Sequence, residues 1–333
     1  SSIIKSMNKK TPTIAVMTSG GDAPGMNAAI RAVVRTAINN DLQVLAINGG
    51  YDGMMSGDFQ EMNAGSVSNI MQRGGTIIKT SRSERFMEKK GRAIAYAQLK
   101  KAKINAVIVI GGNGSFAGAD VFTSEFDIPF IGIPKTIDND VYGTDYSIGF
   151  DTACNTALEA IDKIRDTANS HHRLFFVEVM GRDMGFIALH CGIACGAEVI
   201  LVPEKKTNMR DLVAKLKAGW KRNKSSLIVV VAEGAIEGGI MALVDYIKIK
   251  FTQYEIRASI LGHIQRGGNP SCFDRVLASR LGHEAVKMLL QGERNVIVGL
   301  KNDRLIYTSF KIASTRKHKI NKTLIDVANE LSA

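Results

Sequence analysis

The chain has 333 residues, 45% of them hydrophobic and 23% charged, with 43 Lys and Arg against 32 Asp and Glu for a formal net charge of +11. That composition excludes a disordered, collagen-like or disulfide-built chain, and no apolar run approaches the ~18–20 residues of a membrane span. The basic residues are dispersed, without a polybasic arm or an aromatic-interleaved patch, which argues against nucleic acid and is compatible with phosphate-bearing small molecules.

In chain order, short runs rich in β-branched residues read as strands: TIAVMT (13–18), QVLAIN (43–48), NAVIVIGG (105–112), IPFIGIP (128–134), RLFFVEVMG (173–181), EVILVP (198–203), SLIVVVAEG (226–234) and RASILGHIQ (257–265). Several are apolar at nearly every position, as strands covered on both faces are. Between them lie helix-periodic stretches: MNAAIRAVVRTAINN, GRAIAYAQLKKA, CNTALEAIDKIRDTA, MRDLVAKLKAGWKR and FDRVLASRLGHEAVKMLL. The alternation predicts an α/β protein of doubly wound, Rossmann-like parallel sheets with helices on both faces. The length suits about two domains. The expected division is a larger domain over 1–145 joined by part of the C-terminal segment, a smaller one over 146–310, and a C-terminal tail or helix over 311–333.

The opening SSIIKSMNKK is basic but lacks the apolar core of a secretory signal. Cys154, Cys191, Cys195 and Cys272 have no zinc-like spacing and read as free thiols of a reducing, cytoplasmic compartment. The N-x-S/T matches at Asn113, Asn223 and Asn321 then carry no glycosylation meaning.

In doubly wound sheets, ligands bind outside the carboxyl ends of the strands. Four expected strand ends carry unusual loops: TSGGDAPGMN, GGNGSFAGA, PKTIDND and EVMGRDMG. Gly20, Gly21 and Gly25 lie between a strand and a helix beginning near Met26, an arrangement that brings backbone amides and a helix N-terminus to an anion. Gly111, Gly112 and Gly114 repeat the device before a helix expected to open at Ser115, so a nucleotide's phosphates can span both loops. Asn113, between these glycines, either accepts a metal-bound water or turns the chain. Thr136, Asp138 and Asp140 crowd into five residues after a buried strand. In an extended segment, Asp138 and Asp140 face the same way, one able to serve as a base and the other to anchor magnesium. Arg173 and Arg182 bracket a strand about 30 Å long, too far apart for one chain to aim both at one ligand. With Arg257, His263 and Arg266 they suit a sugar phosphate through forked hydrogen bonds, whereas His263 alone reads as a core histidine.

The motifs TSGGDAPGMNAAIR, RGGT, PKTIDND, GTDYSIGFDTA, VEVMGR and LGHIQRGG follow one another across about residues 13 to 290. In this order they resemble the 6-phosphofructokinases. The resemblance implies two α/β domains with the active site between them, and a homotetramer whose sites borrow residues from a neighbouring chain. It implies transfer of a phosphoryl group from Mg-ATP to fructose 6-phosphate, the committed step of glycolysis. Asp138 is then the base for the 1-hydroxyl, Thr136 and Arg182 stabilise the transferring group, and Asp140 with Asn113 serves the Mg2+ ion. Met180, Gly181, Glu233, His263 and Arg266 would hold the sugar phosphate, with Arg173 and Arg257 from the adjacent chain. Gly21, Tyr51, Arg82, Gly112, Gly114, Ser115 and Lys135 would surround the donor.

Departures from the family pattern are expected to matter. Asn113 stands where the family usually has Asp, and Lys135 stands where ATP-using bacterial members often have Gly. The pyrophosphate-using branch has lysine there, but pairs it with an Asp at the position of Gly114. Pyrophosphate is therefore the alternative donor. A sugar-phosphate-binding regulatory paralogue is the alternative of a different class. Arg31, Arg35, Arg165, Glu198, Arg222 and Lys224 match the charged residues of the family's allosteric effector site, whereas Ala64 and Gly65 replace an expected Arg and Tyr.

Overall fold

The computed structural model describes residues 11–222 and 224–331. The basic opening segment and the motif at Asn223 lie outside the described residues. In chain order the elements are β1 (Thr13–Thr18), α1 (Met26–Ile38), β2 (Gln43–Ile47), α2 (Gly50–Ser56), β3 (Phe59–Met62), α3 (Lys89–Lys101), β4 (Ala106–Gly111), α4 (Asn113–Glu125) and β5 (Phe130–Pro134). There follow α5 (Phe150–Ser170), β6 (Arg173–Val179), α6 (Phe186–Ala194), β7 (Val199–Leu201), α7 (Met209–Lys221), β8 (Leu227–Ala232), α8 (Gly239–Lys250) and β9 (Glu255–Ile260). The chain ends with α9 (Cys272–Gln291), β10 (Val296–Lys301), β11 (Arg304–Ser309), α10 (Phe310–Thr315) and α11 (Lys322–Leu331).

The chain divides into two compact units. Of the described residues, the first comprises 11–136, 140–151 and 266–318, the second 137–139, 152–222, 224–265 and 319–331. In the first, a seven-stranded sheet runs β11-β10-β5-β4-β1-β2-β3. Its pairings are parallel except β2 with β3 and β10 with β11, the two edges. Side chains of β1 alternate between two cores, as the pleat requires. Ile14 and Val16 pack in the cluster that includes α1 and α9, and Ala15 and Met17 in the one that includes Phe116, Phe122 and Phe130. β1 lies between β2 and β4, with Thr18 opposite Ile110. The chain leaves β1 toward β2 and later builds β5 on the far side of β4, so strand order reverses between β1 and β4. That reversal is where doubly wound sheets bind ligands.

The second unit carries a four-stranded, wholly parallel sheet of order β7-β8-β6-β9. Leu174, Phe176, Leu227, Val229 and Val231 form one of its cores with Leu212, Leu216, Leu243 and Ile247 of α7 and α8.

Local differences from the sequence reading have identifiable causes. Residues 266–318, expected mostly in the smaller domain, count with the first unit because α9 packs on α1 and β10 pairs with β5. The tail helix α11 instead packs on α6 of the second unit. The stretch 257–265 is not one strand. β9 runs Glu255–Ile260, and Gly262, at φ 58°, turns the chain into a 3-10 helix over Gly262–Arg266. β3, β10 and β11 were not anticipated; β3 and β11 are edge strands that carry polar residues along one or both faces. Among the described residues, no helix is long and apolar enough to cross a membrane.

Candidate active site

Three loops of the first unit meet at the strand-order reversal. The first glycine loop follows β1, and α1 opens at Met26 as expected. Its partner is the 73–82 segment, laced to it by Thr80 donating to the Gly20 carbonyl at 2.8 Å and Gly20 N–H donating to the Ser81 carbonyl at 3.2 Å. Buried Asn27 pins the same segment, donating to the Arg73 carbonyl and accepting from Ile77 N–H. Sequence reading passed over Asn27; its only signal is an amide side chain in the first turn of an otherwise apolar helix. Arg82 stands exposed at the end of this segment. A Cβ on Gly21 would lie 3.0 Å from the Arg266 guanidinium, so Arg266, at the end of the 3-10 helix that carries His263, stands against the donor loop.

The second glycine loop differs from expectation. α4 opens at Asn113, not Ser115, with Gly112 as its N-cap. The first-turn amides of Asn113, Gly114 and Ser115 therefore have no intrahelical carbonyl to bond and are suited to an anion. No atom lies within 4 Å of a Cβ built on Gly114, whereas one on Gly111 would strike Ser115 at 2.5 Å. Three expected donor-binding side chains are turned inward instead. Tyr51 is 5% exposed, stacks on Phe86 at 3.8 Å and donates its hydroxyl to the Ser115 carbonyl at 2.7 Å. Burial pushes its phenol pKa far above the ordinary value. The Ser115 hydroxyl donates to the Ser19 hydroxyl at 2.8 Å. Lys135 is likewise buried, its ammonium donating to the carbonyls of Ser19, at 3.2 Å, and Gly21.

The TIDND segment is not extended. Ile137 and Asp138 form a turn and Asn139 takes φ 53°, a left-handed conformation that asparagine tolerates. The two carboxylates consequently go to different partners. The Arg182 guanidinium lies 3.6 Å from buried Asp138, and the Asn113 amide donates to Asp140 at 3.0 Å. The Asn113 carbonyl oxygen is buried without a hydrogen-bond partner, which is costly unless a ligand satisfies it. A carboxylate beside an unsatisfied carbonyl oxygen is the oxygen chemistry that a hard divalent cation takes. Among the described residues, no group of three or more His, Cys, Asp or Glu is placed to hold a metal by itself.

In the second unit the carboxyl ends of β6 and β8 adjoin. Gly181 takes φ 146° and a Cβ there would meet the Met184 carbonyl at 2.3 Å, so only glycine fits. Glu233 holds this turn, one carboxylate oxygen accepting from Gly181 N–H at 3.1 Å and Arg182 N–H at 2.7 Å. Met180 N–H donates to Gln265, which the sequence reading missed. His263 is exposed on the 3-10 helix and is no core histidine. Burial, and then the nearby Glu233 charge, raise the Glu178 carboxyl above its usual range. Arg173 and Arg257 lie toward the other end of β6 and β9, both ion-paired with Glu255.

Of the residues matched to an effector site, Lys224 pairs with buried Glu198 at 2.5 Å, and Arg165 donates to the Cys195 carbonyl at 2.6 Å. Arg222 is exposed nearby in sequence, whereas Arg31 and Arg35 lie one helical turn apart on α1 of the first unit. Ala64 and Gly65 are exposed at a 3-10 turn.

Residues 13–289 match the family described as phosphofructokinase. The chain belongs to the phosphofructokinase family. It is 51% identical over 96% of its length, and 98% of the relative's, to the ATP-dependent 6-phosphofructokinase 2 of Bacteroides thetaiotaomicron. It is 52% identical over 96% of its length, and 99% of the relative's, to the ATP-dependent 6-phosphofructokinase 1 of Thermus thermophilus. A solved phosphofructokinase from Saccharomyces cerevisiae matches 96% of the chain with a TM-score of 0.86 and 34% identity. The chain spans about half of that longer protein, 47%.

Proposed function

We propose that the chain transfers the terminal phosphoryl group of Mg-ATP to the 1-hydroxyl of fructose 6-phosphate, giving fructose 1,6-bisphosphate. The observation that carries this reading is the separate partnering of two carboxylates two residues apart: Asp138 beside a guanidinium and Asp140 beside an amide. Their Cα atoms are at most about 7 Å apart by chain geometry, so both can act on one phosphoryl group. Asp138 accepts the hydroxyl proton as the oxygen attacks. Arg182, with its side chain 56% exposed, and Thr136 stabilise charge on the group in transfer. The first-turn amides of α4 and the loop at Gly20 and Gly21 hold the donor phosphates. Asp140 and the Asn113 carbonyl oxygen would hold a Mg2+ ion, which supplies neutralisation of phosphate charge. Glu233 shapes the Met180–Arg182 turn for the acceptor, with His263 and Arg266 toward the sugar phosphate.

ATP rather than pyrophosphate is the donor: relatives about half identical over nearly the whole chain are named ATP-dependent, and the space at Gly114 is open. Arg173 and Arg257, at the wrong end of their strands for this site, serve a neighbour's sugar phosphate in a cytoplasmic homotetramer. Arg31, Arg35, Arg165, Glu198, Arg222 and Lys224 belong to the same proposal as an anion site; calorimetric titration with ADP tests whether it binds. A coupled assay with fructose 6-phosphate tests the whole reading. Turnover with ATP is expected; turnover with pyrophosphate alone would overturn the donor, and turnover with neither would favour a regulatory paralogue.

A further inference from the structure

Lys135 touches both phosphate-facing loops at once. Its backbone N–H donates to the carbonyl of Gly111, in the second glycine loop, at 2.9 Å. Its ammonium donates to Ser19 and Gly21 of the first. The side chain runs beneath the first loop, and the residue is only 3% exposed. A buried ammonium is costly to desolvate unless oxygen atoms replace its water, and here loop carbonyls supply them. Across a trans peptide the following N–H points away from each carbonyl: opposite the Ser19 carbonyl, Gly20 N–H reaches the Ser81 carbonyl, and opposite the Gly21 carbonyl, Asp22 N–H points away from the ammonium. The hydroxyl bond between Ser115 and Ser19 ties the same two loops, as does Ser19 N–H to the Ile110 carbonyl at 2.9 Å.

We propose that Lys135 is a positioning residue that sets the separation of the two glycine loops, acting on the donor through them rather than as its ligand. The inference rests on the reading that both loops hold the donor's phosphates. A cation that reaches the loop from below also places positive charge under the polyphosphate without closing the space beside Gly114.

Lys135→Met keeps the length of the side chain, and replacing a buried charge with an apolar group of similar volume is often tolerated. In the nucleotide-free variant, hydrogen exchange at residues 19–22 should quicken. The KM for ATP should rise about tenfold, the scale of lost hydrogen bonds to a charged group. kcat at saturating ATP should stay within about threefold and KM for fructose 6-phosphate should hold. Unchanged exchange in the nucleotide-free variant, or a fall in kcat above 100-fold with KM for ATP unchanged, would overturn the proposal. Quickened exchange with unaltered ATP binding would instead reject the donor reading of the loops and leave the tether intact. Should the variant not fold, amine-specific labelling of the wild-type protein decides the matter. A tether stays unlabelled with or without ATP; labelling without ATP that ATP suppresses would mark a direct ligand and overturn the proposal.

Discussion

Asn113 donates its side-chain amide to the Asp140 carboxylate at 3.0 Å while its own carbonyl oxygen lies buried without a partner. An aspartate at 113 would face Asp140 as a second carboxylate at hydrogen-bond distance, and like charges so placed repel. The amide relieves that repulsion and keeps one oxygen for a cation or its water.

Asn113→Asp should therefore trade stability without metal for tighter metal binding. Without Mg2+ the variant should melt lower than wild type, and Mg2+ should raise its melting temperature more steeply. The Mg2+ concentration for half-maximal rate should fall. Thermal scans across a Mg2+ series check this; equal metal responses in the two proteins would remove Asn113 from the metal site.

Gly111 and Gly114 are three positions apart and should respond oppositely. Gly114→Asp adds a side chain in open space, so the protein should fold at near wild-type stability yet lose most ATP turnover, because the carboxylate repels the phosphates. Gly111→Ala drives a methyl into Ser115 and should destabilise by about 1–3 kcal/mol, as overpacking does. Denaturant titrations beside ATP kinetics distinguish the two effects.

Asp138→Asn should lower kcat by ~10²–10⁴, the usual worth of general base catalysis, with far less change in KM for fructose 6-phosphate. Steady-state kinetics decide it. Retention of more than about a tenth of wild-type turnover would show that another group takes the proton.

Arg173→Ala and Asp138→Asn, each inactive alone, should recover part of the activity when co-expressed in mixed assemblies. Arg173 lies at the end of β6 away from Arg182, so under the shared-site proposal one interface can contain both intact partners. If verified mixed assemblies show no more activity than the parents, each site is built from a single chain.

Glu178→Gln should stabilise the protein at neutral pH. Burial and the Glu233 charge raise the folded-state pKa of Glu178, so the native state binds more protons than the unfolded state as pH passes through the carboxylate range. Stability contributed by this group is present at low pH and lost as pH rises. Removing the charge should raise the melting temperature at pH 7, modestly, because solvent screens a half-exposed carboxylate. The gain should shrink as pH falls through the carboxylate range and Glu178 takes up its proton; a gain constant with pH would point to packing instead.

Strand–helix alternation and the near-continuous apolar runs of β1, β4, β6 and β8 were enough to read parallel sheets covered on both faces, because burial on two sides demands apolar residues at every position. Motif order was enough to read the family and the two carboxylates. What the sequence could not decide was direction. Nothing in the spelling of PKTIDND shows that Asn139 turns left-handed and sends Asp138 and Asp140 to separate partners, because that conformation depends on neighbours distant in the chain. The inward side chains of Tyr51, Ser115 and Lys135 have the same origin. The family resemblance puts each around the donor, yet each finds its hydrogen-bond partner on another segment of the chain, at Ser115, Ser19 and Gly21. A buried polar group must be satisfied by whatever the fold brings near, and only the tertiary structure determines what that is.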